Sequence, residues 1–307
     1  MKLLITGGNG MLGSAVVAKF REKGIEALSP SSKELNLCEI DSVRSYLQRH
    51  LPDTVVHCAA KVGGIKANLE DPISFLSTNI RMDSNLMTAS IELDIDNFLY
   101  IGSSCMYPKN MTVPMKESDL LQGSLEESNE GYALAKLVGW KMTEVQSQSA
   151  GKNWRTLILS NLYGPRDHFA NDRSHLLAAV IAKTLTAVEL NQPSLEMWGD
   201  GLSRREFTFA GDVASYIVKV VPILDKIPTT MNIGSGIDYS VRDYYDMVAS
   251  LCGYQGEIEP NPNKPTGMAR KLMDISLARE HGWEASTTIE QGIMQTIDWY
   301  KLNRGDK

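Results

Sequence analysis

The feature that most narrows what this chain can fold into is Thr6-Gly7-Gly8-Asn9-Gly10-Met11-Leu12-Gly13, a glycine-rich turn set between a short apolar run and an amphipathic one. Glycines at 7, 10 and 13 stand where a backbone must turn tightly, let a phosphate approach closely, and pack a helix against a strand. The N–H groups at the helix start then face an anion. A plain β-turn-α unit produces the same glycines without a ligand, but here the strand before and the helix after supply the context of a dinucleotide site. The alternation continues. Residues 2–6, 25–29, 54–60, 97–103 and 156–161 read as strands, and 13–23, 42–50, 71–93 and 130–150 as helices. Parallel strands need crossover connections, so the pattern predicts an α/β fold with a doubly wound parallel sheet.

The end of the second strand selects the dinucleotide. An acidic residue there would bind the ribose 2′-OH and repel a 2′-phosphate. Ser29-Pro30-Ser31-Ser32-Lys33 offers hydroxyls and an ammonium instead, so NADP(H) is expected, with Ser32 and Lys33 near its 2′-phosphate. The plain alternative for Lys33 is a solvated surface lysine. Beyond residue 164 the pattern loosens into loops and isolated helices such as 174–189. An NADP-binding Rossmann domain is therefore expected over 1–165, and a smaller, mostly C-terminal α/β substrate domain over 166–307, with a helix and a strand near 210–238 returning to the first domain.

Tyr132-Ala133-Leu134-Ala135-Lys136 puts a tyrosine and a lysine one turn apart on one helix face. A free tyrosine, with a pKa of roughly 10, exchanges protons poorly at neutral pH, and a nearby ammonium is expected to lower that pKa. By itself this spacing is common and usually structural. Ser103, at the carboxyl end of a strand between the glycine turn and this helix, opens into the ligand crevice of a parallel sheet. Ser103, Tyr132 and Lys136 together predict carbonyl/alcohol redox chemistry.

Composition excludes other classes. With 31 Lys and Arg against 37 Asp and Glu, a formal charge of −6, no general affinity for nucleic acid is expected. No apolar run approaches the roughly 20 residues of a membrane span, and the start lacks the pattern of a secretory leader. Cys38, Cys58, Cys105 and Cys252 show no CxxC spacing, so neither a disulfide framework nor a metal site is expected, and the compartment is expected to be the cytoplasm.

The GxxGxxG spacing resembles that of extended short-chain dehydrogenases/reductases, and the chain as a whole resembles the GDP-L-fucose synthase family, the 3,5-epimerase/4-reductases of GDP-4-keto-6-deoxymannose. The blocks that carry the likeness are Ala59-Ala60-Lys61-Val62-Gly63-Gly64-Ile65, Gly102-Ser103-Ser104-Cys105-Met106-Tyr107-Pro108, Asn161-Leu162-Tyr163-Gly164-Pro165, Ser174-His175, Arg205-Glu206-Phe207 and Arg270-Lys271-Leu272. The resemblance implies that Cys105 and His175 are the acid/base couple of epimerisation. Their ordinary pKa values of about 8.5 and 6.5 bracket neutrality. The bland readings are a small buried hydrophobe for Cys105 and a helix-start histidine beside Ser174 or Asp172 for His175. The resemblance further implies a cofactor cleft formed by Gly7, Gly8, Asn9, Gly10, Met11, Leu12, Gly13, Ser32, Lys33, Leu37, Ala59, Ala60, Lys61, Ile101, Ser103, Tyr132, Lys136, Leu159, Asn161, Leu162 and His175. Lys183, Trp198, Arg205 and Lys271 are implied around the nucleotide diphosphate of a GDP-sugar, although Arg205 is equally consistent with a structural salt bridge. A homodimer is common in this superfamily and is expected here. Three positions depart from the family pattern: Asn9 and Lys183 where arginines occur, and Thr266 where aspartate is common. They leave open a reductase of another GDP-4-keto sugar, such as a 3,6-dideoxyhexose or a heptose, or a simple 4-reductase.

Overall fold

The computed structural model describes residues 1–169, 174–264 and 267–304. Its strands are β1 (Leu3–Thr6), β2 (Ala27–Leu28), β3 (Thr54–His57), β4 (Asn97–Ser103), β5 (Asn153–Leu159), β6 (Asn161–Tyr163), β7 (Ser194–Trp198), β8 (Arg204–Phe209), β9 (Thr230–Ile233), β10 (Asp238–Ser240), β11 (Glu257–Asn261) and β12 (Arg270–Lys271). The helices are α1 (Met11–Glu22), α2 (Ile40–His50), α3 (Ile65–Glu70), α4 (Pro72–Glu92), α5 (Glu130–Ala150), α6 (Leu176–Glu189), α7 (Ala210–Val220), α8 (Val241–Cys252), α9 (Ser276–Glu280) and α10 (Ile289–Asn303).

A six-stranded sheet runs β2-β1-β3-β4-β5-β9, and every pairing in it is parallel. This is the doubly wound architecture that the alternation predicts. Side chains alternate across each strand, so one face carries Leu4, Val55, Phe98, Tyr100 and Ile158 into a core with α2, α4 and α5. The other face carries Leu3, Ile5, Val56, Leu99, Leu157 and Leu159 against Val16 and Phe20 of α1 and Val213 and Ile217 of α7. Ile275 and Trp283, far along the chain, complete that second core. The chain leaves β1 toward β2 and returns to β3 on β1's other side, so the strand order switches between β1 and β3. A crevice at the carboxyl ends of the strands opens at such a switch.

The C-terminal half contains more strand than its loose pattern predicts. β8 is the centre of a small sheet that pairs antiparallel with β10 and parallel with β12 and β6, while β7 pairs with β11. A third core beneath it joins α6, α8 and α10 through Leu177, Ile181, Tyr244, Val248, Ile293 and Ile297. Most of these strands are two to six residues long and pair across large separations, which leaves no local periodicity to read. No helix among the described residues is long and apolar enough to cross a membrane.

Candidate active site

Gly7 turns the chain after β1 with φ of +69°, and a Cβ there would lie 2.7 Å from the Ala59 backbone. A Cβ on Gly13 would lie 2.2 Å from the Gly7 carbonyl oxygen, itself the acceptor of the Gly10 N–H at 2.9 Å. Loop, sheet and helix approach so closely that side chains are excluded. Helix α1 begins at Gly10 with no side-chain cap and no acidic residue in its first turn. Its leading N–H groups and positive dipole end suit a pyrophosphate. On this observation the residues present fit a dinucleotide.

The turn forms one end of a cavity of about 810 Å³. Gly7, Gly10, Met11, Leu12, Gly13, Ala59, Ala60, Lys61, Ile101, Ser103, Tyr132, Lys136, Leu159, Asn161, Leu162 and His175 line it, and so do Cys105, Lys183, Trp198, Arg205 and Lys271. Five expected cofactor residues lie outside that lining. Gly8 is packed so close to Ser29 that a Cβ would meet its hydroxyl at 1.8 Å. Asn9, Ser32 and Lys33 are exposed. Leu37 is buried in the core shared with α2 and α4, because its strand-to-helix loop folds inward there. Lys61 lines the cavity, but its ammonium donates to Asp71 Oδ2 at 3.0 Å and to Ser74 Oγ. Thr266 and Asp172 lie outside the described residues.

Ser103 ends β4, where its Oγ accepts the Cys105 N–H at 3.3 Å and shares a hydrogen bond with Tyr132. The tyrosine does not follow the expected tuning. Burial pushes its pKa up, the neighbouring Cys105 and Asp83 push it further, and the Ser103 bond opposes them only in part. The reason is where the Lys136 ammonium sits: 3.8 Å from Asp83 Oδ2 and 4.6 Å from the centroid of the Tyr100 ring. Tyr132 is therefore held as the neutral phenol, a proton donor. Lys136 is itself 2% exposed, and burial lowers its pKa against the opposing pull of Asp83.

Cys105 follows on the single turn after β4, and its sulfur receives two donors. Asn129 Nδ2 lies at 3.2 Å and the Lys271 ammonium at 3.5 Å. Lys271, expected at the diphosphate, is thus brought to the thiol. Sequence reasoning missed Asn129, which precedes Tyr132 at the start of α5; a polar residue one turn before the tyrosine on the same helix was the available signal. Its Oδ1 is buried with no partner, and the residue lines the cavity. His175 is the first residue of α6's cap, and burial together with His168 lowers its pKa, so the imidazole is neutral near pH 7. At the far end, the ammonium groups of Lys183 and Lys264 lie 5.3 and 5.2 Å from the centroid of the Trp198 ring. The Trp198 indole N–H donates to Glu196 at 3.2 Å. Arg205 donates to the Arg204 carbonyl at 2.8 Å, and burial lowers its pKa against the opposing charge of Glu126, another residue of the cavity lining.

Comparison with known proteins gives these features a setting. A GDP-L-fucose synthase of Azorhizobium caulinodans is 44% identical over 299 residues, covering 97% of this chain and 96% of that one. A GDP-L-colitose synthase of Yersinia pseudotuberculosis is 41% identical and covers 98% of each chain. Among solved structures, a GDP-mannoheptose C4 reductase of Campylobacter jejuni with NADP bound superposes with a TM-score of 0.87 at 30% identity, again over 98% of each chain. Residues 3–234 match the NAD dependent epimerase/dehydratase family, and the chain belongs to that family.

Proposed function

We propose that this protein is an NADPH-dependent enzyme that epimerises GDP-4-keto-6-deoxy-D-mannose at C3 and C5 and reduces C4, giving GDP-L-fucose. The observation that carries the reading is one cavity in which a dinucleotide cradle, the Ser103/Tyr132/Lys136 group and the Cys105/His175 pair all meet. The 4-keto group acidifies the hydrogens at C3 and C5, so one side chain removes a proton and another returns one to the opposite face. Neutral His175 is ready to accept a proton, and a Cys105 sulfur that gives one up finds the Asn129 and Lys271 donors already in place. Bound NADPH supplies the hydride for C4. Tyr132, kept as the phenol and hydrogen-bonded to Ser103, gives its proton to the C4 oxygen. Lys183, Lys264 and Arg205 bring positive charge to the diphosphate end of a protein whose net charge is −6, and Trp198 offers a flat face to the base or sugar.

In this reading residues 1–165, with segments near 210–238, bind the cofactor and the remainder to 307 binds the nucleotide sugar; β9 and α7 support the division by completing the first unit's sheet and core. The protein works as a homodimer in the cytoplasm. Ile73 and Ile91 of α4 and Leu134, Val138 and Val145 of α5 are exposed apolar side chains available for a two-helix interface, and all four cysteines are free thiols. Incubation with NADPH and the keto sugar in deuterated water tests the chemistry: label is expected at C3 and C5 of the product. Reduction without label leaves a simple 4-reductase. The likeness to a GDP-L-colitose synthase supports a second reading, in which a 3,6-dideoxy-4-keto sugar is the substrate, and relative kcat/KM for the two sugars decides between them.

A further inference from the structure

Beneath the cavity lies a buried polar network that the chemistry above does not use. Asp83 of α4 is 1% exposed, and both its oxygens are taken. Oδ1 lies 3.0 Å from His57 Nε2, and Oδ2 accepts the Tyr100 hydroxyl at 2.5 Å and faces the Lys136 ammonium at 3.8 Å. Burial raises the carboxyl pKa, but Lys136, His57 and Tyr100 outweigh it and hold the group ionised. An ionised carboxylate only accepts, so His57 Nε2 donates to it, and Nδ1 shares a hydrogen bond with the Thr6 hydroxyl 2.6 Å away. The Thr6 oxygen in turn accepts the Ala59 N–H at 3.4 Å. The network therefore runs from the residue before Gly7, through β3 and α4, to the lysine of the reduction site.

Two features distinguish it from an ordinary core ion pair. The Lys136–Asp83 separation is 3.8 Å, and Lys136 also lines the cavity, so the carboxylate faces a residue of the site itself. Gly139, one turn beyond Lys136 inside α5, makes room for the network: a Cβ there would lie 2.4 Å from the Tyr100 hydroxyl and 3.0 Å from Asp83 Oδ2. A glycine inside a helix costs about 1 kcal/mol relative to alanine, and the fold bears that cost where carboxylate and phenol must reach the lysine. The groups facing the Lys136 ammonium are Asp83 from α4, Tyr100 from β4 and Cys58 just after β3. Asp83 is the ionised acid among them, since burial pushes the Cys58 thiol up to about 12.

We propose that Asp83, fixed by His57 and Tyr100, is a positioning residue for the reduction that holds the Lys136 ammonium in place and charged at the base of the cavity. The inference rests on Lys136 serving the reduction. The test compares Asp83→Asn with the unaltered full-length enzyme in two reactions: NADPH oxidation with the keto sugar, and deuterium exchange at C3 and C5 with NADP+ bound. Without the carboxylate the buried amine loses its proton more easily. The basic limb of the kcat profile for reduction is expected to move down by about 1–3 pH units, with at least a tenfold fall in kcat above the new limb. KM and the exchange rate stay near their original values, and Asp83→Glu restores most of the loss. Tyr100→Phe removes the donor that competes for Oδ2 and moves the limb upward, so it reads the network even if Asp83→Asn fails to fold. An unmoved limb in the folded variants, or equal losses of exchange and reduction, overturns the inference. Lys136→Met separates the two levels: if it leaves reduction intact, the role given to Lys136 fails, whereas loss with Lys136→Met but not with Asp83→Asn removes Asp83 alone.

Discussion

The two proton-handling corners of the cavity are built on opposite plans. Tyr132 and Lys136 share one helix, and beneath them the Asp83–His57–Tyr100 network is sealed from water. Cys105 and His175 come from separate segments, and the cysteine is held by Asn129 and by Lys271 from β12. The difference suits the proposed tasks. In the proposed reaction the buried network beneath Tyr132 gives the Lys136 ammonium fixed partners in a dry setting. The proposed roles of Cys105 and His175, taking a proton from one sugar face and returning one to the other, instead call for groups open to the substrate.

Removing one corner at a time is the strongest way to break this contrast. Tyr132→Phe is expected to lower kcat for reduction by about 10²–10⁴-fold while deuterium still enters C3 and C5; loss of both in parallel would merge the corners into one machine. Cys105→Ser should slow exchange by roughly 10²-fold with NADPH affinity unchanged by fluorescence titration. At the cofactor end, Gly13→Ala places a methyl against the Gly7 carbonyl, and the overpacking is expected to cost about 1–3 kcal/mol, read as weaker NADPH binding and a lower Tm. Lys33→Asp is gentler, because the side chain is exposed: a roughly tenfold shift of the NADH/NADPH preference is expected, and no shift would place the 2′-phosphate elsewhere. The smallest effect is in pH. His175 has its pKa lowered by burial, so the imidazole stays neutral as pH falls through the ordinary histidine value near 6.5, and exchange should decline only below it. A decline centred above that value would contradict the buried setting.

Legibility divided along the same line. The glycine turn and the Tyr132/Lys136 pair are local: each is complete within eight residues, so periodicity and spacing alone bring it into view. The β2 strand was readable too, although only Ala27 and Leu28 of the expected five residues pair with β1. The strands around β8 were not, since each is short and finds its partner far along the chain. Lys271 shows the same limit at a single residue. Its basic character suits a diphosphate, yet β12 lies parallel to β8 and brings its ammonium to Cys105.

By itself the sequence determined the doubly wound sheet and the glycine turn, because these depend on steric freedom at glycine and on strand and helix periods, and it put forward the candidate groups of the site by residue type. Only the tertiary structure decided the protonation states. Whether Tyr132 is phenol or phenolate, and whether Lys136 faces it or Asp83, depends on burial and on charges delivered by α4, β3 and β4. Spacing along one helix does not contain that information, since electrostatic energy in a low-dielectric interior is set by distance in space.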